Sequence, residues 1–131
     1  MSPKNLWGDI APADDTRAPT AILREQAAEL SRLTQGVLDG AVTVKPVGGE
    51  FVVEFSIIAP VLNGYEYTVM YVEHPVVMYP LKVMQGWDRY NRDTTLKCEN
   101  EVEFEAAVGT ILKSEHVRAV VASLITQSRS A

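Results

Sequence analysis

Apolar residues recur every three or four positions between Pro19 and Val37. Leu23, Ala27, Leu30, Thr34 and Val37 make one stripe, with Ile22 and Leu33 beside it. That period predicts an amphipathic helix from Pro19 to Val37. Pro19 suits a first turn, where its missing N–H has no partner to lose, and Gly40 is the better terminator after Gly36. From Ala41 the period falls to two. Val42 and Val44 alternate with Thr43 and Lys45, Gly48-Gly49 supplies a hairpin turn, and a second strand runs from Glu50 to Ala59. A third strand follows from Tyr65 to His74.

The register of the central hairpin can be argued from charge and side. A two-residue turn at Asn63-Gly64 would set Glu54 opposite Glu73, and directly opposed like charges destabilise a sheet. A five-residue loop, Pro60 to Gly64, pairs Ala59 with Tyr65 instead. Ile57 then meets Tyr67, Phe55 meets Val69, and Val53 meets Tyr71, all on one face. Val52, Ile58, Met70 and Val72 fall on the other face, among Glu54, Ser56, Glu66 and Thr68. A fourth strand is expected over Val76–Met84, limited to an edge or a bulge by Pro75 and Pro80. A short fifth is expected over Thr94–Cys98. Asn100 with Glu103 forms a variant capping box before Phe104, Ala107, Val108, Ile111 and Leu112, and Ser114 caps a last helix.

These elements predict an α+β fold: an N-terminal helix, a mostly antiparallel sheet of four or five strands, and two C-terminal helices packed on one face. Residues 1–17 read as an irregular arm with Pro3, Gly8, Pro12, Asp9, Asp14 and Asp15. Residues 18–127 read as one domain and 128–131 as a frayed tail. Leu6, Trp7 and Ile10 are the arm's large apolar groups. Docking on its own domain is the expected role, with presentation to a partner as the alternative.

Composition narrows the function classes. The chain has 131 residues and a formal charge of -5, and 47% of it is hydrophobic, which suits a packed core and not a disordered or fibrous chain. No uncharged apolar run approaches the roughly 20 residues of a bilayer span, and the first twenty residues do not read as a secretory signal. One cysteine, Cys98, permits no internal disulfide, so a cytoplasmic location is expected. The acidic balance argues against nucleic acid as a partner, because a phosphate-binding surface concentrates Lys and Arg.

No catalytic motif stands out, and neither a metal nor a cofactor is expected. His74 and His116 lack ligand spacing. His74 reads as a hydrogen-bonded structural imidazole, and His116, in the first turn of the last helix, as solvated. Cys98 is followed by Glu99, Glu101, Glu103 and Glu105, whose charge disfavours a thiolate; the glutamates themselves suit a solvated helix start. The segment from Gln85 to Asp93 concentrates Trp87, Arg89, Tyr90 and Arg92, residue types enriched at binding hot spots. Against that, Asp88 and Asp93 can neutralise the arginines, and Trp87 can cover the end of the core.

Two readings follow. The leading one is a non-catalytic, cytoplasmic protein-interaction module that contacts a protein partner, or a second copy in a homodimer, through Trp87, Arg89, Tyr90, Arg92 and Trp7. In size, charge and element order this outline is similar to small acidic chaperones of bacterial secretion systems and to toxin-immunity proteins, with no shared motif. The alternative is a small-ligand or enzymatic domain whose pocket between sheet and helices gathers Tyr71, His74 and Tyr79.

Overall fold

The computed structural model describes every residue except Met1, Ser2, Pro12 and Asp14, so the expectation of an irregular arm at Pro12 and Asp14 lies outside the described residues. Helix α1 spans Pro19–Leu33. The sheet contains β1 (Asp39–Val47), β2 (Glu50–Ala59), β3 (Tyr65–His74), β4 (Leu81–Gln85) and β5 (Leu96–Cys98). Helices α2 (Glu101–Leu112) and α3 (Glu115–Ser130) close the chain. The five strands are antiparallel and lie in chain order. This is the α+β arrangement that the periodicity predicts.

Helix α1 stops one turn earlier than its apolar stripe suggests. The Thr34 hydroxyl donates to the Leu30 carbonyl at 2.8 Å and accepts from the Leu38 amide at 3.1 Å. Gln35 and Gly36 then take positive φ values of 53° and 81°, which unwind the chain. Gly40 is therefore not the terminator. It lies in β1 against α1, where a methyl group would fall 2.5 Å from the Ala27 Cα, so its smallness sets how closely helix and sheet approach.

The five-residue connection is present, and Ala59 pairs with Tyr65 and Ile57 with Tyr67 as argued. Beyond that point the expected register fails by one residue. Ser56 faces Thr68 while Phe55 faces Met70, leaving Val69 as an extra residue in β3. Val53 consequently meets Val72, and Glu54 meets Tyr71. The physical reason lies in which side chains can be sealed. An unbroken register would bury Val69 and Tyr71, and the Tyr71 hydroxyl would need a partner inside. With the bulge Val69, Met70 and Val72 are all buried, and Tyr71 turns to the opposite face. Each such aliphatic side chain contributes about 1.5–3 kcal/mol, more than the roughly 1 kcal/mol of one disturbed ladder bond.

The helices pack on the face carrying Val53, Phe55, Ile57, Met70, Val72 and Val83, and join these residues in one core with Leu23, Phe104 and Ile111. Strand β4 begins only at Leu81, because residues 75–80 form an irregular connection with a cis Tyr79-Pro80 bond and a positive φ at Met78. Strand β5 is likewise shorter than expected. Both C-terminal helices start at their predicted caps: Asn100 Oδ1 accepts from the Glu103 amide at 2.9 Å, and Ser114 Oγ from the Val117 amide at 3.3 Å. Helix α3 continues through Ser130, and Ser128 is buried, so the expected frayed tail is mostly helix. No helix among the described residues is long and apolar enough to cross a membrane.

Candidate functional site

The strands' alternation gives the sheet a second face that carries no helix. The bulge places Tyr71 there, beside Glu54 and Met84 as its cross-strand neighbours. Glu73 and Lys82 form the next pair along the same ladder. The Thr68 hydroxyl donates to Glu54 Oε1 at 2.8 Å and accepts from Ser56 at 3.3 Å, which holds the polar side of the bulge.

The 3-10 turn Gly86–Asp88 follows β4 directly and presses on this bulge. A Cβ at Gly86 would fall 2.1 Å from the Thr68 carbonyl oxygen, so only glycine lets the turn lie this close. The loop consequently divides between the two faces. Trp87 turns to the helix side and stacks on His116 of α3, with ring centroids 4.0 Å apart. Tyr67 meets His116 Nε2 through its hydroxyl at 2.7 Å. His116 is thus not merely solvated, and Trp87 covers the end of the core and joins α3 to the sheet.

Arg89 and Tyr90 turn the other way. The Arg89 guanidinium carbon lies 4.0 Å from the Tyr71 ring centroid and 5.4 Å from that of Tyr90. At 86% exposure Tyr90 stands almost wholly in solvent. Neither Asp88 nor Asp93 forms an ion pair with Arg89 or Arg92. Asp88 instead accepts from the Asn91 side-chain amide at 2.8 Å, and the Asp93 amide donates to Asn91 Oδ1 at 2.9 Å. Among the described residues neither arginine has an ion pair, and Arg89 Nε is buried without an acceptor. Together with Glu73, Lys82, Met84 and Thr95, Arg89, Tyr90 and Arg92 line a pocket of about 410 Å³. Three cations against one carboxylate give it a net charge of +2 on a chain whose overall charge is -5.

Tyr71, His74 and Tyr79 do not gather in one pocket. Tyr71 is on the helix-free face. His74 is 8% exposed, stacks on Phe51 with centroids 5.3 Å apart, and donates from Nδ1 to the Pro75 carbonyl at 2.8 Å, as a structural imidazole does. The Tyr79 hydroxyl is buried without a partner, and burial, with Glu101, Cys98 and Glu105 adding, pushes its pKa up to about 12. A separate cleft of about 230 Å³ does lie between the helices and β2, with Leu30, Leu33, Phe55, Ile57, Leu112 and Val121 among its walls. Its polar residues are Gln26 and Glu29, the latter held by Arg32 at 2.7 Å, which leaves no converging groups for chemistry.

The base of the arm is fixed by a residue that sequence reasoning missed. The Arg17 amide donates to Glu101 Oε1 at 2.8 Å, and its guanidinium pairs with Glu25 at 2.6 Å and with Glu105. The hydrogen bond that the Arg17 guanidinium donates to Glu25 is the main cause that raises the Arg17 pKa. Glu101 and Glu105, one turn apart on α2, therefore converge on a cation and not only on water. Glu103 caps the Glu99 amide at 2.7 Å. Cys98 is buried, and burial first, then Glu103 and Glu99, raises its thiol to about 11, which favours the protonated form at neutral pH. No cluster of three His, Cys, Asp or Glu side chains able to hold a metal ion exists among the described residues.

The arm's large apolar side chains are not docked on the domain. Leu6, Trp7 and Ile10 are 83%, 84% and 79% exposed, which reverses the docking expectation. A turn in which Asn5 Oδ1 accepts from the Trp7 amide at 2.9 Å shapes this segment. Comparison with protein-family models, curated proteins and solved structures gives no match, so the site rests on its own geometry.

Two outcomes follow from this division of roles. Trp87→Ala should cost roughly 1–3 kcal/mol in urea unfolding, whereas Tyr90→Ala should stay within about 0.5 kcal/mol of the wild type. Equal losses would contradict the two-sided loop. Tyr79→Phe removes a buried hydroxyl with no partner, so stability at neutral pH should hold or rise. The raised folded-state pKa of Tyr79 contributes stability that is complete below its ordinary value of 10.0 and is lost as pH climbs to about 12. The wild type should therefore weaken more steeply than the variant in that alkaline window; parallel urea midpoints would refute the assignment.

Proposed function

We propose that this protein is a non-catalytic protein-interaction module whose contact surface is the helix-free face around Arg89, Tyr90 and Arg92, with the exposed Trp7 arm as a second contact. The observation that carries the reading is the pocket beside Tyr71, where cations without ion pairs and an exposed aromatic stand together. Exposed tyrosine and arginine bring large contact area and directional hydrogen bonds, the combination typical of binding hot spots. Trp87 leaves this set, since its ring is committed to His116. The arm adds three large apolar side chains that gain burial only against another surface.

The small-ligand alternative keeps one observation in its favour, the apolar cleft that reaches Phe55 and Ile57. A ligand there would be small and apolar, since neither His74 nor Tyr71 faces it. The two readings separate in an affinity capture from the native cell with wild type and Tyr90→Ala/Arg92→Ala proteins. The interaction reading expects a stoichiometric protein with the wild type and at least ten-fold less with the variant, equivalent to about 1.4 kcal/mol. Equal capture by both proteins, or an apolar small molecule as the only retained species, would contradict it.

A further inference from the structure

We infer that the pocket on the helix-free face receives an acidic peptide segment of a partner protein, with its carboxylates held by Arg89, Arg92 and Lys82. The inference rests on the reading of this face as the contact surface, and it names the chemistry of what is contacted. Arg89 is the central observation. Its guanidinium is held against the Tyr71 ring at 4.0 Å, while its Nε is buried and meets no acceptor. A charged group part-removed from water without an ion pair is costly, and an oxyanion in the pocket that Arg89 lines offsets that cost through the guanidinium's outer N–H groups. The ring fixes the guanidinium plane beforehand, so little side-chain freedom is lost when a carboxylate arrives.

Arg92 and Lys82 are exposed, have no ion pair among the described residues, and line the same pocket. Its volume of about 410 Å³ exceeds what one carboxylate fills, and the exposed Tyr90 ring offers apolar surface beside the cations. An acidic segment interleaved with apolar side chains matches both properties. A densely charged polyanion matches less well. Glu73 sits in the lining, and the overall charge of -5 repels a long phosphate backbone beyond the pocket. The loop is already braced for this task, because the Asn91 carbonyl accepts from the Thr95 hydroxyl at 2.9 Å and the Asn91 side chain holds Asp88.

The test uses the full chain and four probes: a capped peptide alternating glutamate and leucine, its lysine–leucine counterpart, inorganic phosphate, and a single-stranded oligonucleotide. The readout is the NMR resonance of the Arg89 Nε–H, whose burial slows exchange with water. The glutamate peptide should shift that resonance saturably, and Lys82→Ala/Arg92→Ala should weaken the binding about ten-fold or more. Both substitutions are at exposed positions, so the fold should be kept and the resonance should still be visible. The lysine peptide should cause no shift. Absence of any response to the glutamate peptide overturns the inference, as does equal or tighter binding of phosphate or the oligonucleotide. The contact-surface reading fails separately: if Tyr90→Ala/Arg92→Ala captures the native partner undiminished, that reading falls even where the peptide binds. If that capture is lost while Lys82→Ala and the glutamate peptide show no effect, the surface stands and the acidic ligand falls.

Discussion

A single extra residue in β3 decides which side chains this protein hides and which it shows. Phe55 faces Met70 while the neighbouring Ser56 faces Thr68, and Val69 lies between without a partner position of its own. Up to that point toward the loop, the hairpin follows simple alternation. Past it, every residue of β3 has changed face. Met70 and Val72 enter the core, and Tyr71 leaves it. A one-residue shift has this reach because side chains in a strand alternate with a period of two.

The same irregularity builds the surface. The β3–β4 ladder ends at Met70 and Gln85, next to the bulge, and Gly86 turns the chain over the Thr68 carbonyl. From there consecutive residues part company. Trp87 closes the core against His116, and Arg89 settles on Tyr71. Without the bulge, Tyr71 would be inside and Arg89 would lose the ring that orients it. The Arg89–Tyr71 stack on the helix-free face and the core packing are two consequences of one backbone feature. Elsewhere the chain uses charge for the same kind of bracing, as where Arg17 ties the arm to Glu25 on α1 and to Glu101 and Glu105 on α2.

Much of the fold is legible in the sequence because its signals are local. The Gly48-Gly49 turn, the Asn100 and Ser114 caps, and the argument against opposing Glu54 with Glu73 all depend on residues near one another. They place the helix starts, the first three strands and the Ala59–Tyr65 pairing correctly. The bulge is invisible at that level: both registers alternate plausibly, and the difference lies in whether Tyr71 or the pair Met70 and Val72 fits beneath α2. A signal did exist, since an unbroken strand leaves Met70 and Val72 among polar neighbours. Of the candidate residues, Arg89, Tyr90 and Arg92 are singled out by composition, because arginine and aromatics cluster there. Trp87 could not be separated from them, as its direction is set by His116, 29 positions downstream. Arg17 pairs across 84 and 88 positions, a distance no periodicity reports.

The decisive measurement is a set of side-chain nuclear Overhauser contacts across the central strands. The bulged register requires the Phe55 ring to contact the Met70 methyl group, and the Tyr71 ring to contact the Arg89 side chain and nothing in α2. Contacts from Tyr71 to Phe104 or Ile111, with Met70 free of Phe55, would mean an unbroken β3 and would remove both the core arrangement and the surface derived from it.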